Sequence, residues 1–210
     1  MDETPVLPVK AERRSQAQRR DEAEQRLLEA AVRLVGERGL ERITLAEVGE
    51  AAGYSRGLPA HYFGGKDGLI VALASHLIGN FGRALGRTEH HGPGLERLLG
   101  TAAFYFDSAG NDRTGTRALF VLLGEGLSNA LVTERIAELN ARSAKSFEAN
   151  LGAAIASGEA RADIDAGSQA ILILAGLRGV VSFWLLAPDA IDLRVLRDEF
   201  VASLKRSLVP

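Results

Sequence analysis

Cysteine is absent from the 210 residues, so disulfides and thiolate metal sites are excluded. That usage suits a reducing compartment, and a cytoplasmic location is expected. No sign of charge dominates: 25 lysines and arginines face 27 aspartates and glutamates, a formal net charge of −2. Bulk electrostatics therefore do not advertise a nucleic-acid partner. The first residues carry Asp2, Glu3, Pro5, Pro8 and Lys10, with no apolar stretch of the signal-peptide type. Catalytic signatures are missing as well. There are no paired carboxylates on a helix face, no nucleophile elbow, no phosphate-cradling glycine loop and no histidine metal spacing. His90 and His91 are adjacent rather than four apart, with Glu89 as the nearby carboxylate. No catalytic residue, metal or cofactor is expected, and the chain does not read as an enzyme.

What is present is helical. A content of 46% hydrophobic and 25% charged residues suits an ordinary globular protein. From residue 21 onward helical periodicity dominates, without a lasting strand alternation or an internal repeat, so the expected fold is all-α. Leu27, Ala31, Leu34 and Val35 lay one apolar stripe along a first helix, which Gly39 stops. Thr44-Leu45-Ala46-Glu47 is a capping box for a short second helix, with Leu45, Val48 and Ala52 inward. Gly53 breaks that helix, and Ser55 is the expected N-cap of a third. A longer helix runs from Lys66 to about Arg87, with Leu69, Leu73, Leu77 and Phe81 on one side. Further helices are expected at 94–109, 113–131, 133–157, 166–187 and 190–207. The chain thus divides into a flexible basic arm at 1–20 (Lys10, Arg13, Arg14, Arg19, Arg20), a helix-turn-helix domain at 21–65, and a helical body at 66–210 that the helix from Lys66 joins to it.

Residues 44–63 read TLAEVGEAAGYSRGLPAHYF. Two short helices can cross closely only where small residues sit, and Gly49 and Ala52 supply these. Gly53 makes the turn, while Val48 and Tyr54 fill the wedge. In a helix-turn-helix the second helix enters the major groove by its N-terminal residues. The run Thr44, Val48, Ala52-Gly53-Tyr54-Ser55-Arg56-Gly57, His61-Tyr62-Phe63, Lys66-Asp67-Gly68-Leu69 resembles the DNA-binding domain of the tetracycline-repressor (TetR) family, in detail over residues 21–75. The resemblance implies double-stranded operator DNA as partner, contacted from Thr44, Tyr54, Ser55, Arg56, Gly57, Leu58, Ala60, His61, Tyr62 and Lys66. Thr44 would offer its hydroxyl and N–H to a phosphate, and Arg56 would reach a guanine edge or a phosphate. Leu58 would give apolar contact to a thymine methyl, His61 and Tyr62 would meet phosphates, and Lys66 would clamp one. Phe63 is expected in the core. This chain departs from the family at Pro59 and Ala60, where a leucine and a tyrosine are common. With Ser55 as N-cap, Pro59 falls at the fourth helical position and costs the first intrahelical bond.

The segment from Ala170 to Trp184 is apolar nearly all round, so a helix there must be buried on several sides. Arg178 at its middle argues against a membrane span. One side can meet a partner subunit, with Gly176 and Gly179 permitting close approach and Leu193, Leu196, Phe200 and Leu204 completing a four-helix interface; an intramolecular core is the alternative. The resemblance implies a homodimer whose body encloses a small-molecule pocket, with Phe104, Tyr105, Phe120, Leu123, Phe147 and Trp184 as lining candidates and a largely apolar effector. It also implies a repressor released from a palindromic operator by that effector. A helical ligand-binding or protein-interaction module that no longer reads DNA is the alternative.

Overall fold

The computed structural model of the chain describes residues 15–86 and 92–210. Lys10, Arg13, Arg14 and the His90–His91 pair lie outside the described residues. Ser15 and Gln18 set where the chain first turns helical. The Gln18 amide N–H donates to the Ser15 hydroxyl at 3.2 Å, and the Gln18 side-chain oxygen accepts from the Ser15 N–H at 2.8 Å. This reciprocal cap satisfies two N–H groups that an open helix end leaves without partners. Helix α1 accordingly spans Gln16–Arg38. The flexible arm expected through residue 20 is corrected here: Arg19 and Arg20 belong to the first turns of α1. Gly39 ends the helix with φ 82° and its N–H on the Val35 carbonyl, a conformation that disfavours a Cβ.

The remaining helices are α2 Leu45–Ala51, α3 Leu58–Phe63, α4 Lys66–Gly86, α5 Leu95–Asn111, α6 Arg113–Glu125, α7 Ala130–Ala156, α8 Ala166–Leu186 and α9 Leu193–Leu208; no strand forms among the described residues. The sixth helix stops earlier than its periodicity suggests. Asn129 caps α7, accepting from Leu131 N–H at 3.1 Å, and donates to Glu125 at 2.9 Å, so the chain turns at 126–129. Asp165 and Asp192 cap α8 and α9 in the same manner. Glu159, in the α7–α8 connection, accepts from Leu95 N–H at 2.9 Å and so serves the start of α5.

Two buried clusters hold these helices together. One joins Leu27, Val35, Val48, Leu69 and Leu73 to Ala118 and Leu122 of α6 and to Val132 and Ile136 of α7. The core therefore crosses the expected boundary at 65/66, and the first three helices are not packed as an island. Leu122 is wholly buried, and burial of one such side chain is worth about 1.5–3 kcal/mol. The second cluster gathers Leu98, Phe106, Leu151, Leu177 and Leu204 from α5, α7, α8 and α9.

α8 is long and apolar enough to cross a membrane by length and composition alone. Its inner face places Ile173, Leu174, Leu177, Val181 and Trp184 in the second cluster. Leu172, Phe183 and Leu186 on its other face are 63%, 70% and 84% exposed. The stripe expected of the last helix is corrected. Leu193 and Leu204 are buried in the chain's own core, and Phe200 packs on Gly176 and on Phe106, with ring centroids 5.4 Å apart. Gly176 thus admits an intrachain aromatic, while Gly179 faces open space.

Gly36 of α1 lies so close to Thr114 of α6 that a Cβ would overlap the Thr114 carbonyl oxygen. Alanine inside a helix normally gains about 1 kcal/mol over glycine, but here backbone blocks it. Gly36→Ala should therefore destabilise the protein by about 1–3 kcal/mol, lowering Tm by several degrees in a thermal melt. An unchanged or raised Tm would show that α1 and α6 can separate cheaply.

Candidate functional site

The turn between α2 and α3 is built on contact too close for larger residues. A Cβ on buried Gly49 would run into the Ser55 carbonyl and the Pro59 ring. Pro59 is itself buried, so the proline packs as a wedge between the two helices. Tyr54 and Leu58 are half-buried against the same core as Val48. Tyr54 fills the wedge as the spacing suggests. Leu58, expected to offer apolar contact to DNA, turns part of its side chain toward this core and keeps part accessible.

Two further expectations about α3 change. Ser55 is not its N-cap: the Ser55 carbonyl closes a turn by accepting from Leu58 N–H at 3.1 Å, and Gly57 precedes the first helical residue. Pro59 consequently stands in the first turn, where an N–H has no intrahelical acceptor anyway. It therefore costs no hydrogen bond. The helix ends at Gly64, whose φ of 71° lets its N–H reach the Ala60 carbonyl.

Ser55, Arg56, Gly57, Ala60 and His61 are exposed on one edge of this unit. The Arg56 side chain is 73% exposed and pairs with Glu50 at 3.3 Å. Such a surface ion pair is weak, typically worth about 0–1 kcal/mol. The guanidinium can thus be redirected easily.

The flanking residues are less available than expected. Thr44 donates both its N–H and its hydroxyl to the Glu47 carboxylate, each at 2.8 Å, and its oxygen accepts from Glu47 N–H. Both groups expected to meet a phosphate are thus engaged within the capping box. The Tyr62 hydroxyl donates to the Arg20 carbonyl at 3.3 Å, with the Arg20 guanidinium 6.0 Å from the ring centre. Lys66 reaches the Glu41 carbonyl at 3.4 Å, and Phe63 packs against the core as expected. The approach of Arg20 to Tyr62 is an addition to the expected set. Its signal in the sequence is the Ser-x-x-Gln cap at Ser15, which places Arg20 on a helix rather than in an arm.

Behind this unit, an open cleft of about 730 Å³ lies between α1, α4, α5 and α6. Val32, Leu77, Phe104, Tyr105 and Leu119 give it apolar walls, and Glu29, Arg33, Glu37, His76 and Asp112 are among its polar ones. Burial holds the His76 imidazole below its ordinary pKa, although Glu29 opposes this, so it is neutral at pH 7. A second cavity of about 50 Å³ lies deeper, among α4 to α8, and shares Leu77, Tyr105 and Leu119 with the cleft. Of the lining candidates, Phe104 and Tyr105 border the cleft, and Tyr105 and Phe147 border the inner cavity. Phe120, Leu123 and Trp184 line neither and pack against the two cores instead. Arg178 borders the inner cavity, a position that its isolation in an apolar run signals only as a membrane question. Burial pushes the Tyr105 phenol up, and the nearby Arg178 guanidinium partly offsets this.

Fold and site together define a helix-turn-helix protein with a helical body. Residues 27–73 match the family described as bacterial regulatory proteins, tetR family. The HTH-type transcriptional regulator BetI of Brucella anthropi is 46% identical over 67 residues, which is 30% of this chain and 34% of BetI. The chain therefore spans about a third of the length of the curated relatives it matches, reaching 42% for BetI of Brucella canis. Over most of the chain the likeness is one of fold. SmeT, repressor of the Stenotrophomonas maltophilia multidrug efflux pump SmeDEF, gives a TM-score of 0.73 at 22% identity over 89% of this chain and 90% of its own. FadR of Bacillus subtilis, in complex with stearoyl-CoA, gives 0.73 at 19% over 87% and 98%. The chain thus matches the tetR family over residues 27–73 and shares the fold of these solved structures over most of its length.

Thr44→Ala should cost about 1 kcal/mol by opening the capping box, readable as a Tm loss of roughly 2–4 °C. Hydrogen bonds from Thr44 hold the Glu47 carboxyl below its ordinary 4.5. A lowered folded pKa contributes stability above the unfolded value and loses it as pH falls through the folded one. The gap between wild type and Thr44→Ala should therefore be full at neutral pH and shrink below pH 4.5. A gap constant across that range would remove Glu47 from the account.

Proposed function

We propose that this protein is a homodimeric, sequence-specific transcriptional regulator, a repressor released from a palindromic operator by a small-molecule effector. The observation that carries it is the edge formed by Ser55, Arg56, Ala60 and His61, exposed on a unit that Val48, Tyr54, Leu58 and Pro59 pack from the inside. Arg56 is the base reader, since a guanidinium can take guanine O6 and N7 together. His61 contacts phosphate. Tyr62 and Lys66, already bonded to backbone carbonyls, shape the surface and adjust to the duplex at close range.

A dimer follows from the outer face of α8, where Leu172, Phe183 and Leu186 stand exposed in one stripe. Val195 of α9 is 61% exposed beside it, and Val180, Phe183 and Val195 border one shared hollow. An apolar surface of this kind is characteristic of an interface. Two heads held there would meet half-sites about 34–36 Å apart. The cleft under α1 and α4 is the effector site, because α4 begins at Lys66 in the head and lines both cavities with Leu77. A ligand that spreads this cleft shifts α4 and, with it, the spacing of the heads. The rival reading, a module that no longer binds DNA, leans on Pro59, Ala60 and the near-neutral charge, and a proline in the first turn takes away the first of these supports. The protein acts in the compartment that holds the DNA, the cytoplasm, and carries out no turnover.

Fluorescence anisotropy with DNA flanking the protein's own gene, and a selection from random duplexes, test this reading. Binding should weaken steeply with salt, and Arg56→Ala should lose about 5- to 150-fold in specific affinity, the equivalent of 1–3 kcal/mol. Equal, weak binding to every duplex, after selection, would overturn it. Phe183→Asp should leave a monomer in sedimentation and lose operator affinity with the dimer; a dimer that persists would move the interface elsewhere.

A further inference from the structure

We infer that the effector is an amphipathic anion, an apolar body ending in a carboxylate or equivalent group, with its charged end seated against Arg178 in the inner cavity. The inference rests on the effector site proposed above and specifies its chemistry.

The inner cavity is walled by Leu77, Ile78, Leu119, Leu139, Phe147 and Leu174, with a few hydroxyls from Thr101, Ser143 and Ser146. Arg178 is the one permanently charged group on that wall, and no aspartate or glutamate shares it. Its neighbour is the Tyr105 phenol, which accepts a hydrogen bond from the guanidinium but remains neutral at ordinary pH. Among the described residues no carboxylate forms an ion pair with Arg178, whereas Arg38, Arg56, Arg135, Arg161, Arg197 and Arg206 each have one. A guanidinium turned toward an apolar cavity without a counterion is unfavourable. An entering anion removes that penalty and gains a charge-assisted hydrogen bond.

Size points the same way. The inner cavity, at about 50 Å³, has room for a group of a few heavy atoms and no more. The adjoining cleft, at about 730 Å³, is large enough for a body of drug or lipid-tail size. Leu77, Tyr105 and Leu119 stand between the two, so a ligand spanning both must part them. Two of the three carboxylates of the outer cleft are already engaged, and the third, Glu37, is exposed to water. Glu29 takes the Gln25 amide at 2.7 Å, and Asp112 caps α6 through Gly115 at 2.9 Å.

Calorimetric titration of the full-length protein with nonanoate and 4-butylbenzoate, each beside its matched alcohol and primary amine, tests this directly. Both carboxylates should bind at least about tenfold more tightly than their alcohols and amines, the size of one hydrogen bond to a charged group. Arg178→Gln should erase that preference while leaving the alcohols unchanged, and Arg178→Lys should retain part of it. The unliganded Arg178→Gln protein should melt no lower than wild type, which checks that it folds. Equal or tighter binding of an alcohol or amine, no binding of either carboxylate, or a preference that survives Arg178→Gln would overturn the inference. Parallel titration of operator-bound protein separates the two claims. A regulator released by an amine or alcohol alone keeps the proposed function and loses the anionic effector. Carboxylate binding by a protein that recognises no DNA does the reverse.

Discussion

The approach of α1 to α6 at Gly36 and Thr114 is the constraint on which the arrangement of the molecule depends. Two helices meet there with backbone against side-chain-free backbone, and that closeness brings Leu27, Leu34 and Val35 within reach of Ala118 and Leu122. The head that carries α2 and α3 therefore shares its core with the body. Protein interiors at such density transmit displacement instead of absorbing it. On the proposed reading, a change in the cleft that borders α1, α4 and α6 would reach the head without any long chain of intermediates.

Electrostatics divide the molecule differently from packing. On the surface, several arginines are matched by nearby carboxylates, as Arg197 is by Asp107 at 2.6 Å. Those pairs are screened and contribute little individually. Arg178 stands apart because its surroundings are apolar and its partner is a neutral phenol. The same helix that carries this cation inward presents Phe183 and Leu186 outward. α8 thereby links the site that would sense a ligand to the surface that would hold a second copy.

Much of this is legible in the sequence, and the parts that are not have physical reasons. Periodicity locates the helices, because an apolar stripe at 3.6-residue spacing fits the pitch of an α-helix and not the alternation of a strand. The capping boxes at Thr44 and Ser15 carry equal local information, yet the one at Ser15 sits inside a basic run that reads as solvated chain. The start of α3 is misplaced by sequence because serine is the better isolated cap, whereas the Gly49–Pro59 contact decides where the helix begins. Tertiary packing overrides local preference there. The cavity walls are half legible. Phe104, Tyr105 and Phe147 line them, but nothing in spacing separates these from Phe120 or Trp184, which fill core. Leu193 and Phe200 show the same ambiguity: an apolar stripe announces burial without saying against which chain.

The shortness of α3 has a consequence for the information it can hold. Its six residues include a buried proline and an inward leucine, so that with Ser55 and Arg56 of the preceding turn only a few exposed groups, Arg56 and His61 foremost, would be left on the edge to form hydrogen bonds with a base pair. So few letters per half-site occur by chance throughout any genome. A reader of this kind must take most of its selectivity from geometry, from the pitch and phase at which two short words recur on one face of the duplex. Its code would be written in distance as much as in bases, and any ligand that altered that distance would garble the whole message at once.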